Sequence, residues 1–221
     1  MISKFDIESY NAFLFDFDGV LADSNDIKLT TFISVIKDNF FLTENEITNF
    51  LGQMDGENRE NIFNALASKK KFKRNISVNE ISKQYSDYLQ KKLFDVECSK
   101  NIDILYALNN KAFWGIVSAG NLDEIVKFID KKTNYNFFQH NIYGGELRKH
   151  IHIKELFKND LIKYPILYFG DSESDYLLAK KFNFDFVYIS GWCKRKLKLN
   201  SLDYPFYENL SVDGFINEVI A

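Results

Sequence analysis

Only two cysteines, Cys98 and Cys193, occur in the 221-residue chain. Neither is flanked by a C-x-x-C pair or a Cys/His cluster, which argues against both a disulfide framework and a zinc site. A reducing cytoplasm is the compartment this usage implies. Long apolar runs are also missing: the most hydrophobic stretches, Ala112 to Ala119 and Ile166 to Gly170, fall far short of the roughly 18 residues that signal a spanning helix. The amino-terminal Met1-Ile2-Ser3-Lys4-Phe5-Asp6 is mixed and acidic, unlike a secretory signal. Nor does one charge dominate. With 28 Lys+Arg against 31 Asp+Glu, no overall basic field exists to draw the protein onto nucleic acid or anionic lipid. The basic runs at Lys69, Lys70, Lys71, Lys73 and Arg74 and from Lys194 to Lys198 read as wet surface. Repeats and low-complexity segments are absent too, which excludes a solenoid.

What is present is enough apolar material, 46% of residues with 22 Phe and 12 Tyr, for one large domain or a domain with a sizeable insertion. Short, continuous apolar runs end in Gly and in acidic or small polar residues: Ala12 to Phe15 before Asp16, Ala112 to Val117 before Ser118, Ile166 to Phe169 before Gly170, and Phe184 to Ser190. Continuous apolarity marks strands buried on both faces, and helical patterns between them mark an α/β fold with a parallel sheet. The first two runs are separated by about 80 residues without a comparable strand, room for about four helices. Periodicity predicts them at Ile27 to Asp38, Glu44 to Leu51, Arg59 to Ala67 and Val78 to Phe94. The expected organisation is a doubly wound core from 1–20 and 101–221 with an inserted helical domain at 21–100.

Asp16 and Asp18 stand where the first run meets Gly19, and Asp171 and Asp175 follow the third run in Gly170-Asp171-Ser172-Glu173-Ser174-Asp175. Strand ends at the carboxyl edge of an open α/β sheet are where such folds bind ligands. Four carboxylates in one crevice repel by about 4 kcal/mol per close pair at an effective dielectric of about 20, so a divalent cation is expected among them. Hard Mg²⁺ suits carboxylate ligands and shares its sphere with substrate phosphate. Ser118, with Ala119-Gly120-Asn121 leading into a helix, offers a hydroxyl and backbone N–H groups to an anion. Lys149 offers a charge.

Together these residues resemble the haloacid dehalogenase superfamily of phosphohydrolases. Asp16-x-Asp18-Gly19-Val20 matches the first motif, Ser118 the second, Lys149 the third and Gly170-Asp171-Ser172-x-x-Asp175 the fourth. The long insert resembles the helical cap of relatives of phosphoglycolate phosphatase and β-phosphoglucomutase. Asp18 to Asn25, Asn58-Arg59, Tyr143-Gly144-Gly145 and Asp185 to Trp192 are similar to a narrower bacterial group linked with surface-polysaccharide pathways. One departure lies at the lysine, where many relatives have Lys-Pro and this chain has Lys149-His150-Ile151-His152-Ile153. His150 and His152 lack a third ligand and are expected at the surface.

The resemblance implies a Mg²⁺-dependent phosphatase acting on a small phosphorylated metabolite. Asp16 is the implied nucleophile and Asp18 the general acid and base. The metal falls to Asp16, the backbone carbonyl of Asp18, and Asp171. Phosphate falls to Ser118, Ala119 and Lys149, and Asp175 is expected to orient the metal shell or Lys149. Arg59, after Gly56-Glu57-Asn58, is the candidate cap residue for a hydroxyl-rich or anionic leaving group, with an ordinary helix-surface arginine as the other reading. A sugar phosphomutase would share these catalytic residues, and a non-catalytic binding protein of the same fold is a further alternative. A monomer or weak dimer is expected, without nucleic-acid or membrane partners.

Overall fold

The computed structural model describes residues 5–54, 56–69, 72–145, 147–193 and 203–220. Lys70, Lys71 and the run from Lys194 to Lys198 lie outside the described residues. Six parallel strands, β1 (Ala12–Phe15), β2 (Phe113–Val117), β3 (Ile142–Tyr143), β4 (Ile166–Gly170), β5 (Asp185–Ile189) and β6 (Tyr207–Asn209), form one sheet in the order β3-β2-β1-β4-β5-β6. Every residue of β1 and β4 is buried, as a parallel strand covered on both faces requires.

Alternation along the strand sorts side chains onto two cores. Phe13 and Phe15 pack with Phe169, Val187 and the inner faces of α5 (Ile102–Leu108), α6 (Leu122–Lys132) and α9 (Val212–Ile220). Ala12 and Leu14 face Tyr168, Phe186 and Tyr188 under α7 (Lys149–Lys158) and α8 (Glu173–Phe182). The abundant phenylalanine is spent on ring stacks across neighbouring strands, Phe15 on Phe169 at 4.5 Å and Phe13 on Trp114 at 4.3 Å. Successive strands step from β1 to β2 and β3 on one side, then return to β4 on the other. That reversal opens a crevice at the carboxyl ends of β1 and β4, the ligand position of open α/β sheets.

Between β1 and α5 lie four helices, α1 (Asn25–Asn39), α2 (Glu44–Gly52), α3 (Arg59–Lys69) and α4 (Val78–Leu93). Thr43 with Glu46 and Ser77 with Glu80 form capping boxes that start α2 and α4. The four helices bury Val35, Ile36, Ile47, Phe63, Leu66, Tyr85 and Leu89 against one another. The two chain crossings into this layer run side by side: Ala22 bridges Cys98 antiparallel, Ser99 N–H donates to Leu21 C=O at 3.0 Å, and Asp23 N–H to Glu97 C=O at 2.9 Å. The layer also meets the core through Phe94 stacked over Phe128. No helix among the described residues is long and apolar enough to cross a membrane.

Two strands escape the sequence pattern. β3 has two residues, half-exposed, and β6 three; both are too short for an apolar run. One expectation is corrected. His152 is buried at 9% exposure on the inner side of α7, within ring contact of Tyr143, and is not a surface residue.

Candidate active site

Asp16 follows the last residue of β1 and Asp171 follows the last of β4, so pairing of the two strands sets their carboxylates side by side. Asp175 sits one turn into α8 and reaches the same place. Ligand oxygens of Asp16, Asp171 and Asp175 lie within 4.8 Å of one another, all buried. Lys149, at the first position of α7, puts its ammonium 2.9 Å from Asp16 Oδ2 and 2.7 Å from Asp175 Oδ1. Asp175 is saturated: Oδ1 also accepts from the Tyr168 hydroxyl, and Oδ2 accepts from Ser172 Oγ at 2.6 Å while Ser172 Oγ caps α8. Its acceptors are spent on fixing Lys149 and the helix start. Asp16 keeps one oxygen on Phe17 N–H at 2.7 Å, and Asp171 accepts only from Asn25 Nδ2, 2.7 Å away, among the described side-chain bonds.

Burial raises Asp16 to about 7 against the pull of Lys149, with Asp175 and Asp18 adding repulsion. Asp171 is raised well above the usual carboxylate range by burial and by the charges of Asp16 and Asp175. Asp175 ends lower than usual: burial opposes ionisation, but the Lys149 charge and the bonds from Lys149, Ser172 and Tyr168 outweigh it. Lys149 is raised, since Asp16 and Asp175 outweigh its burial. One ammonium among three buried carboxylates leaves negative charge uncompensated. An all-oxygen donor set of this kind fits a hard divalent cation, with Asp16 and Asp171 carrying the least satisfied oxygens.

Asp18 stands apart from that cluster. Its carboxylate turns toward the helical layer, accepting from Ser24 Oγ at 2.5 Å and pairing with Lys28 Nζ on α1 at 2.5 Å. Gly19 makes the turn between them possible: φ is +75°, and a Cβ there would lie 2.0 Å from Asp171 Oδ2. Ser118 follows β2, is buried, and accepts from Gly120 N–H at 3.0 Å, while Asn121 caps α6 through Glu124 N–H. Ala119 lies in this same turn. Lys28 Nζ lies 3.2 Å from where a Cβ on Gly120 would stand, so Asp18, Lys28 and the Ser118 turn share one space.

The four residues Gly56 to Arg59 each meet the core. A Cβ on Gly56 would sit 2.8 Å from Ser174 Cβ, Glu57 pairs with Arg148 at 2.6 Å, and Asn58 Nδ2 donates to Gly145 C=O at 3.2 Å. Arg59 is no surface arginine: it is 7% exposed, with Nη2 2.5 Å from Glu124 Oε2, Nη1 donating to Ser86 Oγ, and its guanidinium 4.7 Å from the Tyr85 ring centroid. Sequence reasoning passed over Ser24, Asn25, Lys28, Glu124 and Tyr168. Asn25 and Lys28 carried a readable signal, since i and i+3 on a helix starting just beyond the Asp-x-Asp-Gly turn share a face.

A groove of about 510 Å³ lined by Asn11, Ala112, Phe113 and Lys163 lies at the amino ends of β1 and β2, the opposite sheet edge from the carboxylates.

Comparison with known proteins agrees with this arrangement. A search of the curated proteins finds no match. Among solved structures, CbbY from Rhodobacter sphaeroides in complex with phosphate superposes with a TM-score of 0.69 at 15% identity over 91% of this chain and 94% of its own. A predicted phosphatase from Clostridium acetobutylicum gives 0.67 at 20% identity over 96% and 98%. A haloacid dehalogenase-like family hydrolase from Streptococcus pneumoniae gives 0.63 at 19% over 91% and 94%. These likenesses establish the fold. The family model for haloacid dehalogenase-like hydrolases matches residues 13–189, from β1 through β5, and the chain belongs to that family.

Proposed function

We propose that the protein is a Mg²⁺-dependent phosphatase that hydrolyses a small phosphate monoester through an aspartyl-phosphate intermediate. One observation carries the reading: Asp16 is held against Lys149 inside a carboxylate cluster while Asp18, two residues on, faces the helical layer. A nucleophile and a proton carrier are thereby pointed at opposite sides of one site.

In the first step a carboxylate oxygen of Asp16 attacks phosphorus, the bond to the leaving oxygen breaks, and Asp18 gives that oxygen its proton. In the second step water attacks the aspartyl phosphate, Asp18 takes the water proton, and Asp16 is released with inorganic phosphate. The Lys149 ammonium, the Ser118 hydroxyl and the N–H groups of the turn at Ala119 would serve as donors to the charge on the transferred oxygens. Mg²⁺, held by Asp16 and Asp171 with the Asp18 carbonyl, would supply charge neutralisation for the transferring phosphoryl group. Asp175 and Tyr168 keep Lys149 in place. Closure of the helical layer, through Gly56 to Arg59, excludes water and surrounds the leaving group. Phosphate monoesters hydrolyse so slowly unaided that accelerations can reach about 10²¹-fold, which is why nucleophile, proton carrier and cation are needed together.

The phrases similar to proteins of surface-polysaccharide pathways support a sugar, polyol or amino-alcohol phosphate as the natural substrate class, handled in the cytoplasm. The test is phosphate release from p-nitrophenyl phosphate and from a phosphometabolite library, with EDTA and then excess Mg²⁺. Activity abolished by EDTA and restored by Mg²⁺ is expected. Full turnover in metal-free buffer would overturn the metal assignment, and no turnover of any ester would overturn the phosphatase.

A further inference from the structure

Arg59 and Glu124 come from different layers and meet in the seam beside the Ser118 turn. Arg59 opens α3, and Glu124 lies in the first turn of α6, the helix that continues Ser118-Ala119-Gly120-Asn121. The pair is buried on both sides, at 7% and 5% exposure. Three different partners satisfy the guanidinium: Glu124 Oε2, Ser86 Oγ and the face of Tyr85.

The cations of this seam are paired among the described residues. Lys28 is matched by Asp18, Arg148 by Glu57, Arg59 by Glu124, and Lys149 by Asp16 and Asp175. A second phosphate or a carboxylate on the substrate that took the Arg59 guanidinium would have to displace Glu124 from it. That would leave the Glu124 carboxylate buried and unpaired, the costly outcome for a buried ion pair.

Glu124 also holds an acceptor in reserve. Its Oε1 is buried and has no hydrogen-bond partner among the described residues. A buried acceptor left unmade costs free energy that a donor recovers, so a substrate hydroxyl or ammonium group reaching Oε1 would recover that cost. Resting on the phosphatase reading, we propose that the Arg59–Glu124 pair sets leaving-group specificity. Glu124 cancels the cap arginine and offers Oε1 to a donor, so the preferred substrate is the phosphate monoester of a neutral or cationic, hydroxyl- or ammonium-bearing alcohol. Esters whose alcohol carries a second phosphate or a carboxylate are disfavoured.

The experiment compares kcat/KM of the Mg²⁺-loaded full-length enzyme on glycerol 3-phosphate and phosphoethanolamine with that on phosphoglycolate and fructose 1,6-bisphosphate, each relative to p-nitrophenyl phosphate. The wild type is expected to favour the first two by at least about tenfold, the factor corresponding to one well-made buried hydrogen bond. Glu124→Gln, which keeps the shape but frees the Arg59 charge, is expected to shift that ratio toward the anionic esters by tenfold or more. Wild-type preference for phosphoglycolate or the bisphosphate, with p-nitrophenyl phosphate hydrolysed normally, would overturn this inference alone. An unchanged ratio in Glu124→Gln would remove Glu124 from specificity. Should that variant not fold, the wild-type ratio decides. No Mg²⁺-dependent hydrolysis of any ester would overturn the phosphatase reading and this inference with it.

Discussion

The Lys28 ammonium, on the first helix of the inserted layer, lies 2.5 Å from the Asp18 carboxylate, and Ser24 donates to the same group from the turn before that helix. Asp18 is thus held by the helical layer as well as by the catalytic loop. A general acid and base contributes roughly 10²- to 10⁴-fold when positioned, so loosening its hold forfeits part of that. Lys28→Met should lower kcat about tenfold on an alkyl phosphate, whose leaving oxygen needs a proton, and much less on p-nitrophenyl phosphate, whose leaving group does not. Equal losses on both substrates would make Lys28 a phosphate ligand or a folding element.

The two aspartates of the catalytic loop should separate in a trapping experiment. Asp16→Asn is expected to lose essentially all turnover and form no covalent adduct. Asp18→Asn should still accumulate a phosphorylated enzyme from p-nitrophenyl phosphate and hydrolyse it slowly, visible as an added phosphate by intact-mass spectrometry. Wild-type turnover of an alkyl phosphate by Asp18→Asn would sink the proton-carrier role.

Much of this arrangement was readable in the chain and part was not. β1, β2, β4 and β5 show as continuous apolar runs because both their faces are covered, and α1 to α4 show by their spacing. Asp16 and Asp171 could be placed because each follows a buried strand directly, and strand ends fix position to within a residue. Arg59 with Glu124 could not. That pair joins residues 65 apart in sequence, and nothing local in Arg59 distinguishes a seam arginine from a surface one until the layers are docked. His152 misled for a related reason: its burial comes from packing of α7 beside Tyr143, while its own segment reads as polar.

Metal-free protein should lose stability as pH rises from about 5 to about 7.5. Asp16 holds its proton more tightly in the folded chain, with a value raised from 3.8 to about 7 by burial, and Asp171 is shifted the same way. Between the unfolded and folded values the native state binds more protons, so the favourable contribution is complete below about 4 and is lost through about 7. Thermal melts in EDTA should therefore fall across this window, and added Mg²⁺ should raise the melting temperature more at pH 7.5 than at pH 5. A metal-free melting temperature that climbs with pH would contradict the burial of these carboxylates.

Asp175→Asn tests the positioning network. The amide cannot match the Lys149 charge, and it weakens the cap of α8 at Ser172. Breaking a buried pair by removing one partner costs roughly 3–5 kcal/mol, which for a domain of this size is on the order of 10 °C in Tm. Measured with saturating Mg²⁺, that loss should accompany a fall in kcat. A melting temperature within a degree or two of wild type would show that Lys149 is held by Asp16 alone.

The side-by-side crossings at Ala22 and Cys98 have a kinetic consequence. Ala12 pairs with Phe113 across about a hundred residues, a separation whose loop-closure entropy slows folding of parallel sheets. Once the four helices fold and their ends are clasped, the chain from β1 to β2 is shortened to residues 16–21 before the joined stem and residues 99–112, with α5, after it. The helical layer then acts as a splint that brings two strands far apart in sequence within short reach of each other. The same clasp makes it a cassette: a layer entering and leaving at one point can be exchanged for another of different lining while the register of β1 and β2 is kept.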